Sequence, residues 1–176
     1  RHFTGHKKRQ KIKILIFEVD YRQYDIDFAN LCVINFICGQ QIKFFCAAWE
    51  GLGEMGKIVS VSIIGVGARG GEAYGRYLYK LKDKYRIVSL CDINEERLEK
   101  YGETFGVAQS DRFRDEDEFF AKKRSDLLLV CTLDQMHVRM AKRGLALGYD
   151  ILLEKPISAD PKELRELVEC ARKSGR

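Results

Sequence analysis

The sequence predicts an α/β fold built on a doubly wound parallel sheet, the Rossmann arrangement. The first observation is a series of apolar runs that read as strands: 58–65, 86–92, 107–109 (short and weak), 126–132 and 150–155. The second is a set of amphipathic patterns that read as helices: 71–84, 95–105, 115–123, 135–147 and 161–173. Apolar strands that alternate with amphipathic helices are typical of a parallel sheet covered on both faces.

Composition and charge narrow the class of protein. The chain has 176 residues, of which 45% are hydrophobic, enough for one domain with a sizeable core. Its most apolar region, 26–49, is interrupted by polar residues, so we expect a cytoplasmic protein without a membrane partner. The net charge is +5, but six basic residues and no acid lie within the first thirteen positions. The basic character belongs to a tail, and we expect no nucleic-acid partner.

The cysteines show no metal-binding or redox spacing. They stand at 32, 38, 46, 91, 131 and 170, without a Cys-x-x-Cys pair or clustered histidines. Buried, reduced thiols and no metal site are therefore expected.

The chain divides near Met55, its first methionine. Residues 55–176 carry the alternating pattern, whereas 1–54 lack sustained periodicity and contain only weak strand signals at 12–19 and 31–37. We interpret 1–54 as an N-terminal extension without a stable domain, read through from upstream of a start at Met55. A genuine N-terminal extension is the alternative.

A glycine-rich turn follows the strand at 58–65. Gly65, Gly67 and Gly70 form a Gly-x-Gly-x-x-Gly pattern around Ala68 and Arg69, with a helix after it. In a dinucleotide-binding turn the first glycine permits the sharp exit from the strand, the second admits the pyrophosphate and the third allows close helix packing. A tight turn without a ligand is the alternative.

Asp92 is the second element of this predicted site. It ends the strand at 86–92, where a carboxylate accepts hydrogen bonds from the adenosine ribose and repels a 2′-phosphate, so NAD is favoured over NADP. Alternatively, Asp92 caps a helix that begins at Asn94 or Glu95. Arg69 or Arg97 would weaken the preference for NAD if either pointed at the ribose.

Two further motifs, Cys-Thr-Leu-Asp-Gln-Met-His at 131–137 and Glu-Lys-Pro at 154–156, follow the next two strands. Together with the glycine turn and Asp92, they resemble the N-terminal half of the Gfo/Idh/MocA oxidoreductases, over residues 57–176. The resemblance implies NAD-dependent hydride transfer on a sugar, inositol or related polyol.

Several residue roles follow from this resemblance. Lys155 would lie beside the nicotinamide and hydrogen-bond the reacting hydroxyl, where a cation stabilises alkoxide-like charge. Thr132 and Glu154 would contact the cofactor, and His137 is either a cofactor-proximal residue or a satisfied structural histidine. The usual Thr-Pro-Asn is replaced by Thr132-Leu133-Asp134. Asp134 suits a helix N-cap.

The resemblance also implies what lies beyond these residues. Family members continue with a last Rossmann strand and an α+β domain that supplies most substrate contacts and mediates homo-oligomer assembly. We therefore expect an unpaired sheet edge, and weak NAD binding without turnover by these 176 residues. An NAD-dependent glycosidase and a non-catalytic NAD-binding module remain alternative functions, and the substrate stays open.

Overall fold

The computed structural model describes residues 12–17, 31–34 and 58–175. Its strands are β1 (Ile12–Phe17), β2 (Leu31–Ile34), β3 (Val59–Ile64), β4 (Tyr85–Cys91), β5 (Arg112–Phe113), β6 (Leu127–Val130) and β7 (Asp150–Leu153). Its α-helices are α1 (Arg76–Lys80), α2 (Glu95–Phe105), α3 (Glu116–Phe119), α4 (His137–Ala146) and α5 (Pro161–Ser174). A π-helical segment, Ala68–Gly75, leads directly into α1. Within these residues, no helix has both the length and the apolar character that a membrane crossing requires.

The strands form a single sheet in the order β2-β1-β7-β6-β3-β4-β5, and every neighbouring pair is parallel. The doubly wound α/β class is confirmed. The chain runs outward from β3 through β4 to β5, then returns to β6 on the other side of β3. Ligands of such sheets bind at the carboxyl ends of the strands where the order reverses. Here that point lies between β3 and β6.

The edge beside β7 is paired, so the prediction of an unpaired edge is wrong. Residues Ile14, Leu15 and Ile16 of β1 lie opposite Ile151, Leu152 and Leu153. An edge strand offers a row of backbone donors and acceptors, and β1 uses them. The predicted division of the chain at Met55 stays a prediction, and the basic tail at 1–11 lies outside the described residues.

Alternate residues of the central strands supply the cores on the two faces of the sheet. Leu128 and Val130 of β6 pack on one face against α4 and α5. Leu127 and Leu129 pack on the other face against the π-helical segment, α1 and α2. Because β6 is buried on both sides, its sequence is continuously apolar, which is why the sequence predicted it well.

The weak strand predicted at 107–109 is wrong, since the third strand of the Rossmann order is β5 at Arg112–Phe113. Helix α2 ends at Gly106, whose φ is +68°. The N–H of Val107 then donates to the carbonyl of Gly102 at 2.8 Å, which closes the helix end. That amide is therefore not available to a strand.

Candidate cofactor-binding site

The glycine turn is fixed by close backbone packing. Gly65 follows β3 with φ +86°, and a Cβ atom there would stand 2.4 Å from the carbonyl oxygen of Cys131. A Cβ atom at Gly70 would stand 2.0 Å from the carbonyl oxygen of Gly65. Neither position tolerates a side chain, so the start of the helix lies directly against the ends of β3 and β6.

Gly67 lies in a more open part of the same turn. The nearest atom to a Cβ placed there is Nη1 of Arg97, at 3.7 Å. Ala68 and Arg69 follow it as exposed residues at the start of the π-helical segment. The first N–H groups of a helix have no partner within the helix, and they attract anions. The turn therefore leaves room, and backbone donors, for a pyrophosphate.

Asp92 lies next to this turn and is only 8% exposed. Its Oδ2 accepts a hydrogen bond from the N–H of Val66 at 2.8 Å, and its Oδ1 accepts one from the N–H of Asn94 at 2.9 Å. The N-cap of α2 is Asn94, whose side chain accepts from the N–H of Arg97. The capping task at this helix thus belongs to Asn94, and the carboxylate of Asp92 is oriented by the glycine turn.

Arg97 is the cation closest to this carboxylate. Its Nη1 lies 3.8 Å from Oδ2 of Asp92, and its side chain is 53% exposed. The guanidinium therefore stands at the mouth of the turn, where it reduces the negative potential that Asp92 presents to a ribose. Arg97 thus lies close to the carboxylate that the sequence predicts to bind the ribose, and its effect on the preference for NAD stays a prediction.

A buried carboxylate lies on the other side of the switch point. Glu154 directly follows β7, is 6% exposed, and its N–H donates to the carbonyl of Val130 at 2.9 Å. The hydroxyl of Tyr74, from the π-helical segment, hydrogen-bonds to the Glu154 side chain. Among the described residues, Oε2 of Glu154 and Oγ1 of Thr132 are buried without a hydrogen-bond partner. Unpaired buried oxygens of this kind call for a donor from water or a ligand.

The same carboxylate affects two neighbouring acids. Burial, followed by the charge of Glu154, raises the pKa of Tyr74 well above its ordinary value. Burial and then Glu154 also raise the pKa of the Cys131 thiol, while Arg69 opposes the shift. Both groups therefore favour their neutral forms at physiological pH. Tyr74 was not among the predicted site residues, although it follows Gly70 by about one helical turn.

Lys155 and His137 both lie at the carboxyl ends of the strands but differ in their exposure to solvent. Lys155 is exposed, and within 58–175 its ammonium group forms no hydrogen bond or ion pair. His137 is 0% exposed, with Nδ1 2.7 Å from the carbonyl oxygen of Pro156 and Nε2 3.0 Å from that of Thr132. The ring is that of a satisfied histidine, and its direct contact with a cofactor stays a prediction.

The predicted N-cap role of Asp134 is wrong. Residues Asp134–Met136 form a 3-10 turn, and α4 begins at His137 with Met136 as its N-cap residue. The N–H of Met136 bonds the carbonyl of Leu133, and no side-chain cap is made. Leu133, where the family has proline, is 66% exposed and keeps an extended conformation.

These features together fit a dinucleotide. The turn at Gly67 provides space and donors for the pyrophosphate, Asp92 provides an oriented carboxylate for a ribose, and Glu154 and Thr132 provide unpaired oxygens. No group of three or more His, Cys, Asp or Glu residues in the described part of the chain is arranged to hold a metal ion. Cys91, Cys131 and Cys170 are free thiols, with Cys91 buried and the other two partly buried.

A family model described as an oxidoreductase family with an NAD-binding Rossmann fold matches residues 59–176. The chain belongs to the Gfo/Idh/MocA family. Its residues from β3 onward are the NAD-binding Rossmann domain of that oxidoreductase family, and the predictions of family, cofactor class and fold are confirmed.

Individual Gfo/Idh/MocA relatives are distant. The chain is 26% identical to D-glucoside 3-dehydrogenase of Escherichia coli K12 over 116 residues, which are 66% of this chain and 32% of that protein. It is also 26% identical to glycosyl hydrolase family 109 protein 2 of Phocaeicola vulgatus, over 68% of this chain and 30% of that one. The chain thus spans about a third of the length of these curated relatives.

The fold likeness extends to solved structures. The WlbA dehydrogenase of Chromobacterium violaceum, crystallised with NADH and UDP-GlcNAcA, aligns with a TM-score of 0.63 at 20% identity. The alignment covers 70% of this chain and 34% of WlbA, and it establishes a common fold.

Proposed function

We propose that this chain is the cofactor-binding part of an NAD-dependent oxidoreductase that acts on a hydroxyl group of a sugar, inositol or related polyol. The observation that carries the proposal is the exposed side chain of Lys155. It lies at the carboxyl ends of the strands, where the glycine turn and Asp92 also lie. Family membership supports the cofactor, and the curated sugar-oxidising relative supports the substrate class.

Each residue of the site has a defined task in this proposal. Backbone amides at Ala68 and Arg69 bind the pyrophosphate, and Asp92 accepts hydrogen bonds from the adenosine ribose. Thr132 and Glu154 form hydrogen bonds with polar groups of the bound dinucleotide. They do so through Oγ1 and Oε2, which have no other partner among the described residues. NAD, when bound, supplies the hydride acceptor.

Lys155 acts on the substrate oxygen. When a carbinol transfers hydride to NAD, its hydroxyl proton passes to water or to a basic side chain, and negative charge develops on the oxygen as that proton leaves. The ammonium group of Lys155 donates a hydrogen bond to it and stabilises that charge. An exposed lysine without another partner in 58–175 is free to do so.

Binding and turnover test the proposal separately. NADH binding is measured by fluorescence titration of the 176-residue chain, and reduction of NAD is followed with a panel of sugars and inositols in that chain and in the complete gene product. Lys155→Ala should lower kcat of the complete product by about a hundredfold or more, while the Kd for NADH changes less than about threefold. Lys162→Ala, which removes another exposed lysine, is the matched control.

Two results would contradict the proposal. Absence of NADH binding would exclude the cofactor assignment, and full turnover by Lys155→Ala would exclude its catalytic role. Absence of turnover by the wild-type complete product, with NADH binding retained, would favour the non-catalytic module that the sequence left open.

An NAD-dependent glycosidase is the second candidate, because a family 109 glycosyl hydrolase is among the relatives. Such an enzyme would release an aglycone from a glycoside while its bound NAD showed no net reduction. Release of a chromogenic aglycone without NADH accumulation would therefore favour the glycosidase over the dehydrogenase.

A further inference from the structure

His137 connects two loops that carry the site. It opens α4, and its ring lies between the loop after β6 and the turn after β7. Nδ1 is 2.7 Å from the carbonyl oxygen of Pro156, and Nε2 is 3.0 Å from the carbonyl oxygen of Thr132. Carbonyl oxygens only accept hydrogen bonds, so the neutral ring donates to one of these carbonyls through its single N–H and lies in contact with the other.

The connection begins where the sheet ends. Strands β6 and β7 are paired up to Val130 and Leu153, and the last backbone bond between them runs from Glu154 to Val130. Beyond that bond the segments that follow β6 and β7 separate. The ring of His137 is the next link between them, and it engages the residues immediately past the ladder.

Lys155 lies between these two fixed points. The bond from Glu154 holds the residue before it, and the His137 ring holds the carbonyl of the residue after it. The backbone at Lys155 is thus restrained on both sides, although its side chain is exposed. The ring itself is 0% exposed, which keeps both contacts away from competing water.

We infer that His137 is a positioning residue that fixes the place of Lys155 relative to the loop at Thr132. The inference rests on the proposed function of Lys155. In this role His137 acts through the two carbonyls that its ring contacts.

The first test measures the connection without catalysis. His137→Phe keeps a planar ring and removes both ring nitrogens that contact the carbonyls. Amide hydrogen exchange in this variant should accelerate by about tenfold or more at Met136 and Glu154, whose N–H groups bond the carbonyls of Leu133 and Val130 in the two joined segments. The matched control is Met140→Ala, which removes a fully buried side chain from the same helix. Its faster exchange should be centred on α4. Equal exchange of the two loops in wild type and His137→Phe would overturn the inference.

The second test asks whether the effect passes through Lys155. In the complete gene product, His137→Phe should lower kcat by about tenfold or more, with the Kd for NADH within about threefold of wild type. Added to Lys155→Ala, it should lower the residual rate by less than about twofold, because the residue that it positions is gone. An equal loss in both backgrounds would overturn the positioning role.

The two tests separate failure of the inference from failure of the proposed function. Lack of turnover by the wild-type complete product with every polyol overturns the proposed function. The exchange measurement then decides by itself whether His137 joins the two loops.

Discussion

The carbonyl oxygen of Gly65 occupies the space beside Gly70 that a side chain would need, since a Cβ atom at Gly70 would stand 2.0 Å from it. The carbonyl group belongs to the backbone, and the backbone fixes the place of a Cβ atom, so neither can rotate away from the contact. Gly70→Ala should therefore push the π-helical segment off the sheet, lower the free energy of unfolding by about 1–3 kcal/mol and weaken NADH binding. Denaturant unfolding and fluorescence titration measure the two effects. A variant as stable as wild type would show that the turn relaxes easily.

Gly67→Ala should separate binding from stability. A Cβ there meets only Nη1 of Arg97 within 4 Å, at 3.7 Å, so the free energy of unfolding should change by less than about 0.5 kcal/mol. The methyl group would nevertheless enter the space proposed for the pyrophosphate, and the Kd for NADH should rise about tenfold or more. Unchanged affinity would place the phosphates elsewhere.

Asp92→Asn should change the preference between cofactors. The substitution removes the negative charge that would repel a 2′-phosphate. It keeps Arg97, whose Nη1 lies 3.8 Å from Oδ2 of Asp92 in the native protein. The ratio of the NADPH Kd to the NADH Kd should fall about tenfold or more, as measured by parallel titrations. Glu95→Gln removes an exposed acid from the same region and should leave the ratio unchanged. Adding Arg97→Ala should partly restore the preference for NADH.

Tyr74→Phe should destabilise the protein through Glu154. It removes the hydroxyl that bonds this buried carboxylate, whose Oε2 already lacks a partner within the described residues. The free energy of unfolding should fall by about 1–3 kcal/mol. Tyr79→Phe, at a tyrosine that is 42% exposed, is the control and should change it by less than about 0.5 kcal/mol. Equal stability of the two variants would contradict a structural role for the Tyr74 hydroxyl.

Cys91 should contribute to alkaline unfolding. Burial, and then the charge of Asp92, raises the pKa of its thiol from 9.0 to about 12. The native state therefore holds this proton more tightly than the unfolded chain does. The contribution is complete below pH 9 and is lost between pH 9 and about 12, at up to about 1.4 kcal/mol per pH unit. Cys91→Ala should flatten the decline in this window, and Cys170→Ala should not.

The sequence allowed accurate prediction where a local pattern determines the structure. Strands β3, β4, β6 and β7 are largely apolar because both of their faces are mostly buried, and Asp92 and Glu154 could be placed because each follows such a strand. Both residues then lie at the same end of the sheet, because the carboxyl ends of parallel strands lie together.

Contacts between distant segments could not be predicted in the same way. The bond between Tyr74 and Glu154 depends on the π-helical start of the helix, which an ordinary helical periodicity does not reveal. Ser62 is another example: its hydroxyl lies 2.7 Å from those of both Ser89 and Ser125, inside the sheet. Polar residues in an apolar run carry no sign of which partner they meet.

The hydrogen bond from the N–H of Val66 to Oδ2 of Asp92 gives position 92 a second role besides its proposed choice between NAD and NADP. Alanine or glycine there would leave that buried N–H without an acceptor. A variant of this chain that used NADP, with its 2′-phosphate, would need a short side chain at position 92 that still accepts a hydrogen bond, such as serine or asparagine. Few residues could therefore replace Asp92 during a change from NAD to NADP, because the bond to the N–H of Val66 must be kept.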